Sequence, residues 1–173
     1  MKKTVIILLI LFLLVGCNSN TRKLDEEKYN TYLTYYQSIL DSDTKTESSQ
    51  CFDISIVVNK MDDSTYRYDV IIDEPKVAMY DIRALAVIDN LTVDIDTENM
   101  MPSIGILDDD IYNMIPYQVN TEKGFVSGLD LSLTSESSSL RISVLVEWKD
   151  SSGLNYVREY LSIYGEYQEA SQE

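Results

Sequence analysis

The chain has 173 residues, with 14 basic side chains against 29 acidic ones and a formal net charge of −15. That length suits one domain with a core of its own, and the acidic balance argues against nucleic acid, whose binding rests on neutralising phosphates with Lys and Arg. There is no histidine, which removes the Ser-His-Asp triad, the usual Cys-His pair and every histidine metal site, so no cofactor is expected.

The first element is an export signal. Lys2 and Lys3 form a basic head, and Val5 to Val15 is an unbroken apolar run of eleven residues. A membrane-spanning helix needs about 20 such residues, so this run is too short to span and stay. A basic head, a short apolar middle and small residues at the end describe a secretory signal peptide.

The signal ends in Leu14-Val15-Gly16-Cys17. This resembles the lipobox of bacterial lipoproteins, Leu-x-Gly/Ala-Cys. The resemblance covers the first 17 residues and implies cleavage between Gly16 and Cys17, a diacylglycerol on the Cys17 thiol and Cys17 as the new N-terminus. Two acyl chains hold a protein stably to a bilayer where one holds it only marginally, and a palmitate is one such chain. Removing residues 1–16 takes away two lysines and no acid, so twelve basic residues face 29 acidic ones, a net charge of −17. Such a surface does not lie flat on an anionic membrane. Residues 17–23 read as a polar tether.

Residues 24–40 carry helical periodicity. At about 100° per residue, Leu24, Tyr29, Tyr32, Leu33, Tyr35, Tyr36, Ile39 and Leu40 fall on one half of the helix and polar side chains fill the other. The amphipathic helix must bury so wide an apolar face, against the chain's own sheet or a partner. Tyr29, Tyr32, Tyr35 and Tyr36 form a candidate interaction surface. Residues 41–50, "DSDTKTESSQ", are polar and aperiodic and read as a linker.

The period then changes from 3.6 to 2. Phe52, Ile54, Ile56 and Val58 alternate with polar neighbours, and after "MDDST" so do Tyr66, Tyr68, Val70 and Ile72, a β-hairpin pattern. A strand is expected over Tyr80 to Ile88, a weaker one over Leu91 to Ile95, and short ones over Ser103 to Leu107 and Ile115 to Val119. Leu129, Leu131 and Leu133 alternate next. A turn at "SESSS" leads to Ile142, Val144, Val146 and Trp148, and "KDSSG" leads to a last strand, Tyr156 to Tyr164. Residues 166–173 read as a tail.

Seven to nine short strands with no helix between them predict a mainly β fold: an antiparallel, immunoglobulin-like β-sandwich over 51–165, preceded by the N-terminal helix, with a small β-barrel as the alternative. The Cys…Trp…Cys signature of true immunoglobulin domains is absent, because Cys51 is the only cysteine after Cys17. Cys51 opens a strand pattern and reads as structural. The lipobox, the size and the helix-then-strands layout together resemble the small surface lipoproteins of Gram-positive bacteria, which implies a place on the outer face of the cell membrane.

Few motifs carry chemistry. "DIDTEN" (Asp94 to Asn99) starts like a calcium loop, but Asn99 and Gly105 stand where an EF-hand needs Gly and Glu. Asp108, Asp109 and Asp110 form the densest carboxylate cluster and leave cation binding open. Ser42 to Lys45 fits Ser-x-x-Lys without its companion motifs. Thirteen tyrosines suit either strands or a binding surface. The expected function is therefore a non-enzymatic, membrane-anchored extracytoplasmic lipoprotein that binds a protein or envelope component. The alternatives are a small-ligand carrier with a barrel cavity and, behind it, a hydrolase built on two facing carboxylates.

Overall fold

The computed structural model of the chain describes residues 18–62, 64–89 and 99–169. It is a β-sandwich with one helix on its outside. The helix α1 (Asn18–Leu40) is followed by β1 (Asp53–Lys60), β2 (Tyr66–Asp73), β3 (Tyr80–Ile88), β4 (Ser103–Ile104), a 3₁₀ turn at Thr121–Lys123, β5 (Gly128–Ser135), β6 (Ser139–Lys149) and β7 (Tyr156–Glu166). One sheet has the order β1-β2-β5 and the other β4-β3-β6-β7, with every pairing between these strands antiparallel. Both sheets stay open, so the barrel alternative falls.

The alternation read from sequence decides which side chains enter the sandwich. Tyr68, Val70 and Ile72 of β2 and Leu129, Leu131 and Leu133 of β5 face Ala84 and Ala86 of β3, Ile142, Val144, Val146 and Trp148 of β6 and Leu161 and Ile163 of β7. Trp148, with no disulfide to pack on, takes Phe52 instead, edge-on at 5.8 Å between ring centres and 86° between planes. Cys51 is a free, half-buried thiol beside this pair, and burial, followed by the Glu159 carboxylate, pushes its pKa up. Nothing about it is activated.

The structure adds detail along the chain and corrects one strand. Helix α1 runs from Asn18, so the backbone of residues 18–23 is helical. The 41–50 connector is partly edge cover: the Thr46 N–H donates to the Tyr160 carbonyl at 3.0 Å, and the Ser162 N–H donates to the Thr46 carbonyl at 2.8 Å. A sheet edge left open invites another chain, and Thr46 closes part of the β7 edge. Ile115–Val119 is no strand but a tight turn, with the Gln118 N–H on the Ile115 carbonyl at 3.1 Å. The strand expected over 91–95 and most of "DIDTEN" lie outside the described residues.

Candidate functional site

The helix occupies the outer face of the four-stranded sheet. Tyr32, Tyr35 and Ile39 are buried against Leu85 and Val87 of β3, Leu145 of β6 and Ile106 beyond β4. It runs from the β4 side, where Lys Nζ of Lys28 meets Asp109 at 2.6 Å, across β6 toward the β7 edge that Thr46 covers. This sheet is thus apolar on both faces near its centre. Leu145, between Ser143 and Glu147, is the one residue of the outward row of β6 that announces it.

Under the helix lies a polar clamp. The Tyr35 hydroxyl donates to Glu147 Oε1, and Arg158 Nε donates to Glu147 Oε2 at 2.8 Å. The Arg158 guanidinium also lies over the Tyr35 ring, 5.0 Å from its centre. Arg83 donates to the Tyr35 oxygen at 3.3 Å and sits 4.0 Å from Glu147 Oε1. A buried carboxylate needs such donors. Glu147 is 6% exposed and has spent its oxygens on its own chain. Burial first, then the Glu147 carboxylate, push the Tyr35 pKa up. The arrangement fixes a helix; it presents no free acid or base.

Of the four tyrosines expected as an interaction surface, Tyr32 and Tyr35 are buried on the chain's own sheet, while Tyr29 and Tyr36 remain half-buried. Only that pair is open to a partner. Gly16 and Cys17 lie outside the described residues. The acidic loop is engaged locally: Asp108 accepts the Gly105 N–H at 3.1 Å and the Asp110 N–H at 3.2 Å, and Asp109 holds Lys28. Among the described residues no group of three or more His, Cys, Asp or Glu side chains is placed to hold a metal ion.

The other buried carboxylate, Asp69, is 6% exposed on the outer face of the three-stranded sheet. Ser132 Oγ donates to it at 2.7 Å, Arg67 Nε at 3.0 Å and Asn59 Nδ2 at 3.3 Å. It too is saturated within its own sheet.

A feature that sequence reading missed is the excursion over residues 111–126. Its base is knit to β3: Met79 and Met114 exchange both backbone hydrogen bonds at 2.8 and 2.9 Å, and buried Asn113 accepts the Asp81 N–H on Oδ1 at 3.0 Å. Gly124 (φ +73°) packs so closely that a Cβ there would lie 2.3 Å from the Ile111 carbonyl oxygen. Its tip is the turn Ile115-Pro116-Tyr117-Gln118. Pro116 stands at the second position and Tyr117 at the third with φ +62°, the place where a type II turn favours glycine. Tyr117 is fully exposed at 103%, and Ile111 and Val119 are 62% and 60% exposed. A left-handed tyrosine costs about 1–2 kcal/mol, and Tyr117 recovers none of it by burial. The one signal in the sequence was Pro116 inside what reads as a strand, since proline is foreign to strand interiors.

Among the described residues no helix is long and apolar enough to cross a membrane. No protein-family model matches the chain, and no curated protein or solved structure matches it.

Proposed function

We propose that the chain is a lipid-anchored extracytoplasmic protein that presents its β-sandwich to a protein or other envelope component and performs no catalysis. Diacylglycerol on Cys17 would hold it to the outer face of the cell membrane. The observation that carries the reading is the order Leu14-Val15-Gly16-Cys17 followed at once by α1, whose Tyr32, Tyr35 and Ile39 are clamped to the four-stranded sheet. The anchor and the domain are then joined through a docked helix, and the domain is carried at a set place relative to the bilayer.

Two features support binding over the alternatives. The space between the sheets is filled by Trp148, Tyr68, Phe52 and Ile72, all 2% exposed or less, with their neighbours packed around them, which supports a centre given to side chains and not to a small ligand. The buried carboxylate of Glu147 is held by Tyr35 of the helix and Arg158 of its own sheet, and that of Asp69 by serine, arginine and asparagine donors of its own sheet, where a hydrolase would need two facing a cleft.

The test is replacement of the anchor. Cys17→Ser should move the protein from the membrane fraction to the soluble or secreted fraction and abolish incorporation of labelled palmitate. Retention of the variant in salt-washed membranes, with unchanged labelling, would refute the anchor.

A further inference from the structure

We propose that the outer edge of β7 pairs with the same edge of a second copy of this chain, and that residues 42–48 form a strap that holds this edge shut in the single chain. The inference goes beyond the reading above and depends neither on the anchor nor on an envelope partner. Thr46 makes a one-residue parallel bridge at Leu161. Its N–H donates to the Tyr160 carbonyl at 3.0 Å, and its carbonyl accepts the Ser162 N–H at 2.8 Å. Among the described residues no other segment bonds the outward backbone of β7. The strap is lightly held. Thr46, Glu47 and Ser48 are exposed, and the ion pair of Glu47 with Arg141, at 3.8 Å and open to solvent, adds little to the two backbone bonds. Few buried contacts and exposed backbone bonds mark a segment that opens before the rest of its domain.

The order of side chains on β7 selects the occupant. The Tyr160 carbonyl and the Ser162 N–H point outward, so strand alternation makes Arg158, Tyr160, Ser162, Tyr164 and Glu166 the residues whose backbone groups face the edge. A two-fold axis through Ser162 sets two such edges antiparallel, with the same face of each sheet on the same side. Arg158 then lies opposite the second copy's Glu166, and Tyr160 opposite its Tyr164. On the inner face Leu161 meets the second copy's Ile163, and both belong to the core between the sheets. Opposite charges, aromatic pairs and apolar pairs directly across are what stabilise an antiparallel ladder, and in this register no like charges face each other. Tyr164 and Glu166 stand exposed in the single chain. The edge is also straight: β7 follows β6 from Tyr156 to Glu166 with no register shift, and it contains no proline. Bulges and prolines are devices that blunt an edge strand; here the strap takes their place.

The experiment uses the full chain with Ser162→Cys under mild copper-phenanthroline oxidation. Cys51→Ser is present throughout, and the chain without the 162 thiol is the blank. A hydrogen-bonded antiparallel pair puts its Cα atoms about 5.5 Å apart, within reach of a disulfide. Thr46→Pro removes the N–H that the strap gives to Tyr160 and should raise the disulfide-linked dimer about tenfold. Glu47→Arg, which sets the strap against Arg141, is a second way to open it and should act in the same direction. Each opened chain should keep the parent's far-ultraviolet circular dichroism. Adding Glu166→Arg to an opened chain places like charges across the interface twice and should lower the yield about tenfold. Tyr156→Cys in place of Ser162→Cys should leave the opened chain monomeric, because this register holds the two 156 positions about 40 Å apart. Equal dimer from closed and opened chains would overturn the strap as a latch. No dimer through 162 from either opened chain, or as much through 156, would overturn the β7 edge as the surface. A yield indifferent to Glu166→Arg would overturn the register. Loss of the β signal from both opened chains would make the strap a fixed part of the fold and overturn the proposal.

Discussion

The Tyr32 hydroxyl holds both backbone polar groups of Met101: it accepts the Met101 N–H at 2.7 Å and donates to the Met101 carbonyl at 3.3 Å. This contact joins α1 to the segment that leads into β4, 69 residues along the chain. Burial, partly opposed by the Met101 N–H, pushes the Tyr32 pKa up to about 12. An unfolded tyrosine titrates near 10, so between about pH 10 and about pH 12 the folded chain keeps a proton that the unfolded chain loses. The stability from this group is complete below pH 10 and drains away as pH rises toward 12. Thermal melts across that range should show the decline. Tyr32→Phe should start lower at neutral pH, by about 1–2 kcal/mol for the lost pair of hydrogen bonds, and should decline less steeply. A slope identical to the parent's would show that Tyr32 is not the group responsible.

Glu147 is the center of the clamp beneath the helix, and removing it leaves Arg83 and Arg158 facing each other without their shared acid. The guanidiniums are about one-third exposed, so solvent tempers the penalty. Glu147→Ala should still cost about 2 kcal/mol, because a partly buried charge cluster loses its counter-ion and Tyr35 its acceptor. Chemical denaturation reads this directly. If the Glu147→Ala midpoint stays within error of the parent's, the clamp contributes nothing and apolar contact alone docks the helix.

Most of the sandwich was legible because the period-2 signal is local. Phe52 to Val58, Tyr66 to Ile72, Leu129 to Leu133 and Leu140 to Trp148 each report which neighbour turns inward, and the turns between them are marked by Ser, Asp and Gly. Elements that depend on distant partners were legible only in part. The strand expected over Ser103 to Leu107 shrinks to the two residues of β4, Ser103 and Ile104, which pair with Leu85 and Ala84. The helix shows a face to be buried but no address, and its address is Leu85, Val87 and Leu145, whose strands also serve the inner core. The acidic loop read as a solvated cluster or a cation site, and nothing near Asp109 in sequence pointed to Lys28, 81 residues away. At the excursion, Ile115 and Val119 imitate strand alternation, and the turn carries Tyr117 where glycine would have exposed it.

Val144 tests the inner core. It is 1% exposed in the middle of β6, paired with Ala86 on one side and Leu161 on the other. Ala86 is too small to fill a void beside it, so Val144→Ala should cost about 1–3 kcal/mol through lost burial and a residual cavity. Far-ultraviolet circular dichroism should remain β-dominated while the melting temperature falls. A melt equal to the parent's would contradict the packing of β6 at the centre of the sandwich.

The helix and the sandwich stand or fall together. Leu85, Val87, Leu145 and Ile106 owe their burial on the outer face to Tyr32, Tyr35 and Ile39. Exposing four apolar side chains in one patch is what monomeric proteins avoid. A chain lacking residues 18–41 should therefore melt lower by about 10 °C or more and bind a hydrophobic dye that the intact domain excludes. A lesser change, Ile39→Ala, should cost about 2–4 kcal/mol without altering the sheets. If instead the truncated chain keeps the parent's melting temperature, and the intact protein runs as a dimer on a sizing column, the helix face serves a second copy in solution and its docking on the four-stranded sheet is dispensable.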